Sequence, residues 1–399
     1  MKTMRTRAGF TVVELMIALT VGGIAIASLY TIGSASMRTF REQDRIATTQ
    51  SSLRAAMAQV KRDFSRAGFL TTPNINQQAE RCTPPIPGAP LNDTGTGLGR
   101  GRLAAISAYH QNVDRPKQLD PDDLNKWATV DDVMLMGNYA TSGEYMGVIM
   151  DPNGLRLTIP FSTQSFTRDF THWYDASGGS AGDCNERALS AAFTPGRLLR
   201  LHTLSEQNVY SPISKVGCDT ANKVAVIEVS DPIPTECNAT SGWASPVSTI
   251  RYYAADVPDE EGSRTTKNRV VTLRRTEMNP LDKTKILEVN EDGATRAVDD
   301  RAVLDFVVRF SVQFLMRQAN QTNSMDFVPA TEAMVQANPE LVRGAIIEIA
   351  ARTAEQEPDM TMLPDVRLPP FKVMKTRGAA RTRALRAELL LPNIANKGY

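Results

Sequence analysis

Several signatures of catalysis and metal binding are missing from this chain of 399 residues. It has three histidines, none in the helical spacing of a metal site, and no Gly-x-Ser-x-Gly nucleophile motif. The glycine-rich segment that begins at Gly95 lacks the Gly-Lys-Ser/Thr of a phosphate-binding loop. Acidic turns at Asp120, Asp151 and Asp259 do not follow the alternating ligand pattern of a calcium loop. We therefore expect no enzymatic activity, no cofactor and no bound metal.

A surplus of one charge sign is also missing. The chain has 45 Lys and Arg against 44 Asp and Glu, a net charge of +1. Three of the basic residues, Lys2, Arg5 and Arg7, lie in the first nine positions; without them 42 basic residues face 44 acidic ones, a charge of −2. A nucleic-acid-binding domain would carry a basic footprint, so no nucleic acid partner is expected.

Cysteine is scarce, with Cys82, Cys184, Cys218 and Cys237 the only four. No Cys-x-x-Cys spacing occurs, which argues against a zinc or redox motif. All four lie far beyond the N-terminal apolar segment, on the non-cytoplasmic side, where disulfides persist. Two bridges are expected and three pairings are possible; the shortest separation favours Cys218–Cys237, with Cys82–Cys184 as the second bridge.

Charge is almost missing from the stretch between Phe10 and Met37, where Glu14 is the only charged side chain. A helix of about 20 apolar residues can span a bilayer, and basic residues ahead of it favour a cytoplasmic N-terminus. A secretory signal peptide would have its small-residue site after the apolar run, whereas Ala8-Gly9 comes before it. An ordinary anchor leaves Glu14 unexplained, because a carboxylate in lipid is costly without a partner.

The segment Gly9-Phe10-Thr11-Val12-Val13-Glu14-Leu15 resembles the class III signal of type IV pilins and type II secretion pseudopilins. The resemblance implies that a membrane-bound prepilin peptidase cuts after Gly9 and that Phe10 is then N-methylated. It also implies that Glu14 pairs with the terminal amine of a neighbouring subunit during assembly. Phe10 and Glu14 are four residues apart and therefore share one helix face.

An amphipathic stripe extends this helix. Apolar residues at helical spacing follow the membrane segment: Ile46, Leu53, Met57, Val60 and Phe64. No proline occurs between Phe10 and Leu70, and Gly68 is a plausible stop signal. These features predict one helix from Phe10 to about Ala67, transmembrane over about residues 10–37, whose stripe packs on a globular domain.

The remainder of the sequence is β-rich. Strands are predicted at Leu103–Tyr109, Val130–Met136, Arg197–Leu204, Lys223–Val229, Thr249–Ala254, Asn268–Arg275, Val303–Leu315 and Leu341–Arg352. Residues 71–127 and 160–196 are predicted as long loops, and Arg377–Leu391 as either helix or edge strand. The expected organisation is a leader (1–9), a long helix (10–70) and a β-rich domain (71–399). This is an α+β, pilin-like fold with the helix packed on an antiparallel sheet and long loop insertions.

A second resemblance concerns the end of the helix and the order of elements. The segment from Leu53 to Phe69, the Asp131-Asp132-Val133 turn and the late strand pair are similar to PilW-type minor pilins. The resemblance implies a minor pilin that primes type IV pilus assembly or occupies a tip complex, with other minor and major pilins, the prepilin peptidase and a tip adhesin as partners. It implies an inner-membrane protein with a periplasmic domain that later joins the pilus. The alternative is a minor pseudopilin of a type II secretion system.

Overall fold

A 54-residue helix, α1 (Val12–Ser65), dominates the N-terminal part of the molecule. The computed structural model describes residues 11–75, 103–111, 129–151, 153–171, 183–233, 240–258, 269–280, 282, 284–291, 294–317, 327–354 and 380–395. The predicted helix from Phe10 to about Ala67 is confirmed over these residues.

Local chemistry sets both ends of α1. At the start, the Thr11 hydroxyl accepts a hydrogen bond from the Glu14 amide (3.3 Å), and the Glu14 carboxylate accepts one from the Thr11 amide (3.0 Å). This reciprocal capping box satisfies amides that a helix start leaves without partners. At the other end, Gly68 adopts φ +79°, a backbone conformation that favours glycine and turns the chain out of the helix.

Strands make up most of the described residues beyond α1. They are β1 (Ile106–His110), β2 (Thr129–Val130), β3 (Asp132–Gly137), β4 (Tyr145–Met150), β5 (Arg156–Pro160), β6 (Leu198–Thr203), β7 (Asn208–Asp219), β8 (Val224–Val229), β9 (Ser241–Pro258), β10 (Arg269–Met278), β11 (Glu288–Glu291), β12 (Ala294–Ala297), β13 (Asp300–Leu304), β14 (Val307–Arg317), β15 (Phe327–Pro329), β16 (Val342–Arg352) and β17 (Thr382–Leu390). Short helices are α2 (Gln164–Phe170), α3 (Glu186–Ala192), α4 (Glu332–Ala337) and α5 (Pro392–Ala395), with a 3₁₀ turn at Pro339–Leu341.

The C-terminal half of α1 packs against two sheets. The first has the order β1-β3-β9-β10-β13 and uses the second half of β9, residues 248–258. The second has the order β15-β14-β16-β17, with β2 added parallel to β14. Apart from β2, the pairings in both sheets are antiparallel. The helix packs on β13, β16 and β17, and one apolar core fills the space between helix and sheets. This is the α+β, pilin-like arrangement that the sequence predicts.

The Asp-Asp-Val turn joins the two sheets. Asp131 follows β2 in the second sheet, and its carboxylate accepts a hydrogen bond from the Val312 amide of β14 (2.8 Å). Asp132 opens β3 in the first sheet and pairs with Arg251 of β9 (Nε to Oδ1, 2.9 Å). The two adjacent carboxylates therefore bind strands of different sheets, Asp131 in the second sheet and Asp132 in the first.

A six-stranded antiparallel barrel is inserted between β3 and the second half of β9. Its pairings form a closed ring in the described residues, β9-β4-β5-β8-β7-β6 and back to β9. Residues 241–247 of β9 belong to the barrel and residues 248–258 to the first sheet. Alternate barrel residues point inward and meet the aromatic side chains of α2 and of Phe193, just after α3, in a second apolar core. The barrel therefore has a core that does not use α1.

A small junction joins barrel and sheets. Leu198, Tyr210 and Val247 on the barrel exterior are buried against Ile75, Leu103 and Met136. Beside them, the Arg197 guanidinium makes two hydrogen bonds of 2.7 Å to the Glu277 carboxylate of β10. Arg197 also donates to the Ala192 carbonyl at the end of α3 (2.8 Å). A buried ion pair and an apolar patch thus fix the orientation of the insertion.

The predicted strand at Val303–Leu315 is wrong in one respect, because it is two strands. β13 belongs to the first sheet and β14 to the second, with a turn at Asp305 and Phe306, where φ is +57°. The apolar alternation slips by one residue between Val303 and Phe306, since three positions separate them and two separate each later pair. The slip marks the point at which the chain changes sheets.

The predicted loop at 160–196 is also wrong, since α2 and α3 lie within it. Strands β4, β5 and β7 were not predicted either. For Arg377–Leu391, the strand alternative is confirmed by β17, which pairs with β16 along its length. Most of residues 71–127 lies outside the described residues.

The preferred cysteine pairing is wrong. Cys184, just before α3, is bridged to Cys218 on β7, with Cα atoms 6.2 Å apart. The prediction chose the pair with the shortest separation in sequence. In the fold, α3 packs on β7 and brings together Cys184 and Cys218, which are 34 positions apart. Cys82 and Cys237 lie outside the described residues, so any bond between them stays a prediction.

Candidate assembly site on the N-terminal helix

The N-terminal half of α1 packs against nothing in the described part of the chain. Its large apolar side chains are mostly exposed, for example Leu29 at 69 % and Ile24 at 68 %. By length and composition α1 is the one described helix able to cross a membrane, and its apolar stretch has no buried residue. An apolar surface of this size requires lipid or other protein as its surroundings.

Glu14 lies in the first turn of this exposed half. Its carboxylate accepts hydrogen bonds from the amide and the hydroxyl of Thr11 (3.0 and 3.1 Å). The capping box therefore gives Glu14 a role within its own helix and leaves its negative charge beside the N-terminus. Gly9 and Phe10 lie outside the described residues, so cleavage, methylation and pairing of Glu14 with a neighbouring amine stay predictions.

The C-terminal half of α1 is anchored by the predicted stripe. Leu53, Met57, Val60 and Phe64 are buried, as expected, and Ile46 is half-buried. The Phe64 ring lies 6.3 Å from that of Tyr252 in the first sheet and 6.2 Å from that of Phe314 in the second. One helical residue thus contacts both sheets.

A buried polar network that was not predicted from the sequence adjoins Phe64. The Asp63 carboxylate accepts hydrogen bonds from the Tyr252 hydroxyl and from Arg275 Nε, each 2.6 Å long. Arg275 forms a second ion pair with Asp299. Burial, followed by the neighbouring Asp63 carboxylate, raises the pKa of Tyr252 well above its ordinary value, so the phenol stays protonated and donates. An acid on the apolar face of a predicted helix is the signal that could have revealed it.

Charge at the edge of the interface is less buried. Glu42, near the middle of α1, pairs with Arg381 just before β17, and both side chains are about one-third exposed. Exposed pairs of this kind contribute little, about 0–1 kcal/mol. The buried stripe and Asp63 therefore carry most of the attachment of α1.

No group of three or more potential metal ligands occurs in the described ranges. His110 pairs with Glu332 at the surface (3.2 Å), and the His202 ring lies 5.7 Å from that of Trp243. His172 is outside the described residues. In the turn at Asp151, the Asn153 amide donates to the Asp151 carboxylate (3.3 Å). Each of these contacts joins a single pair of side chains, and none of them assembles a catalytic group.

Residues 4–30 match the family model described as the prokaryotic N-terminal methylation motif. No curated protein and no solved structure matches the chain. The motif, with the long helix and the antiparallel sheets behind it, supports a type IV pilin-like protein, a class that includes pilins and pseudopilins. It implies processing by a prepilin peptidase, membrane anchoring and association with pilins, and it indicates a structural subunit rather than an enzyme.

Proposed function

We propose that this protein is a minor pilin of the PilW type, which primes assembly of a type IV pilus or occupies its tip complex. Before assembly it is a single-pass inner-membrane protein with its globular domain in the periplasm. Its partners are then other minor and major pilins, a tip adhesin and the prepilin peptidase. The division of α1 carries the proposal: an exposed apolar half after a processing signal, and a buried half that fixes a large domain.

The inserted barrel favours a tip position over a shaft position. Residues 145–247 add a second core to the helix-and-sheet unit, so each copy has a bulky protrusion. A closely repeated shaft leaves little room for such a protrusion, whereas a tip complex has a free end. The proposal therefore expects few copies per filament, located at one end.

A minor pseudopilin of a type II secretion system is the second candidate. The large domain fits the largest of those subunits, but these commonly lack the acid that matches Glu14. The smaller ones that carry the acid have much shorter domains. Deleting the gene separates the two candidates: loss of surface pili with normal protein secretion supports the pilus, and the reverse result supports the secretion system.

Glu14 offers a sharper test of assembly because its two roles can be separated. Gln at this position can retain the capping box, since glutamine serves there as well as glutamate, but it removes the charge. If Glu14 pairs with the Phe10 amine of a neighbour, Glu14→Gln should reduce incorporation into filaments strongly, because an unpaired buried charge costs about 3–5 kcal/mol.

The measurement is the ratio of processed protein in sheared filaments to that in membranes. N-terminal sequencing should first show a mature chain that begins at Phe10, and Gly9→Val should block that cleavage. Thr11→Val is the matched control, because it removes the side-chain cap and keeps the charge. Normal incorporation of Glu14→Gln with poor incorporation of Thr11→Val would assign Glu14 to capping alone.

A further inference from the structure

A large cleft lies between the barrel and the β11–β12 hairpin, away from α1. It encloses about 980 Å³ and is lined by α3, by β7 and by the β11–β12 hairpin. Clefts of about 300–1,000 Å³ between structural units are common ligand sites. The size and position of this cleft therefore justify a search for the chemistry it presents.

Positive charge from three elements surrounds the cleft. Arg187 of α3, Lys215 of β7 and Arg296 of β12 each line it from a different element, and all three are exposed. None of them has an ion pair with a carboxylate in the described residues. Glu288 is the only acid in the described lining. Three cations from three elements converge on one space and favour an anionic occupant.

The back wall of the cleft is held in place. Arg197 lines it, but its charge is already neutralised by Glu277 and its third nitrogen is occupied by α3 carbonyls. The Cys184–Cys218 bridge ties the start of α3 to β7. At Gly196 (φ +89°), a Cβ would lie 2.7 Å from the Leu287 side chain, so the barrel and the hairpin approach closely there. A site held in this way needs little rearrangement to bind.

The lining narrows the class of ligand. It contains no aromatic side chain, and single-stranded nucleic acids rely on aromatic stacking. Three serines, Ser190, Ser214 and Ser230, also line the cleft. Guanidinium groups bind carboxylates in a bidentate geometry, and hydroxyls match the hydroxyls of a sugar.

We propose that this cleft binds an acidic oligosaccharide, a chain of uronic acid residues whose carboxylates contact Arg187, Lys215 and Arg296. The site is independent of the assembly role of α1, because all of its lining lies outside that helix. It gives the globular domain a surface-recognition function in addition to its place in the filament.

Calorimetric titration of the full-length protein in detergent tests the proposal. Trigalacturonic acid should bind with a measurable Kd that weakens as NaCl rises, and neutral galactotriose should not bind at the same concentration. Arg187→Gln and Arg296→Gln should each weaken binding roughly tenfold or more, the usual consequence of losing a charged hydrogen bond. Arg386→Gln, at an exposed arginine of β17, is the matched control and should leave the Kd unchanged.

Several results would overturn the site. These are no saturable binding of trigalacturonic acid, equal binding of galactotriose, or an equal loss in Arg386→Gln. Displacement of the trisaccharide by equimolar inorganic phosphate or by a dT12 oligonucleotide would overturn the sugar assignment. Lys215→Gln provides a third variant on another element, so the result does not depend on the folding of one mutant.

Discussion

The two halves of α1 have the same secondary structure and opposite surroundings. Up to about Met37 the helix is largely apolar on every side and exposed, whereas from Leu53 to Phe64 it is apolar on one side only and that side is buried. The half with more apolar surface therefore buries less of it within the subunit. A helical segment that is apolar on every side contacts lipid or other subunits. A segment that is apolar on one side only packs that side on the protein's own sheets.

The globular part repeats this contrast. The core between the sheets includes α1 residues such as Phe64, while the barrel core contains none. Loss of α1 contacts should therefore damage the sheets before the barrel. Substitutions at Phe64, Asp63 and Glu42 test how far the two halves of the helix, and the groups around the buried half, differ in their contribution to stability.

The largest effect is expected from Phe64→Ala. Phe64 is fully buried between both sheets, so its truncation should lower the free energy of unfolding by about 3–5 kcal/mol. Leu29→Ala, in the exposed half, should change it by less than about 0.5 kcal/mol. Urea unfolding of the full-length protein in detergent, followed by circular dichroism, compares the two variants. Similar losses for both would show that the exposed half also packs on the domain.

Asp63→Ala should have the next largest effect. It leaves the Tyr252 hydroxyl and the buried Arg275 without their shared acceptor, although Arg275 keeps Asp299. The expected loss is about 3 kcal/mol in the same unfolding experiment. Asp44→Ala changes an exposed acid of the same helix and should be nearly neutral. A stability gain in Asp63→Ala would show that the ion pair costs more to bury than it contributes.

The smallest effect is expected at the edge of the interface. Glu42→Gln removes the partly exposed pair with Arg381 and should cost less than about 1 kcal/mol. Because salt screens exposed charges, the difference between Glu42→Gln and the original chain should shrink further in 1 M NaCl. A loss comparable to that of Asp63→Ala would place the main electrostatic attachment at Glu42.

Much of the helix-and-sheet unit could be predicted because its signals are local. The stripe at Leu53, Met57, Val60 and Phe64 follows from helical spacing, and alternation revealed β16 and most of β14. The barrel was missed because its strands carry interruptions, including Gly147 at φ +79° in β4 and Pro212 in β7. Glycine and proline lower the local strand propensity, but pairing with distant strands stabilises β4 and β7 in spite of that low propensity.

The residues of the candidate site also differ in whether the sequence alone could reveal them. Gly9, Phe10 and Glu14 could be proposed from sequence because a processing signal is a contiguous segment that an enzyme reads directly. The bond between Cys184 and Cys218 and the partners of Asp63 could not, since they depend on which residues the fold brings together. Tyr252 and Arg275 are 189 and 212 positions from Asp63.

The sequence by itself determined a long helix with an apolar half, an amphipathic half and a methylation motif at its start, because each is a pattern among neighbouring residues. Only the tertiary structure decided that β9 serves both a barrel and a sheet. It also decided which cysteines meet and that Arg187, Lys215 and Arg296 surround one cleft. Such contacts join residues that are far apart in the sequence, and forming them costs chain entropy because long loops must be closed. A short stretch of sequence does not show which of the possible long-range contacts the folded state forms.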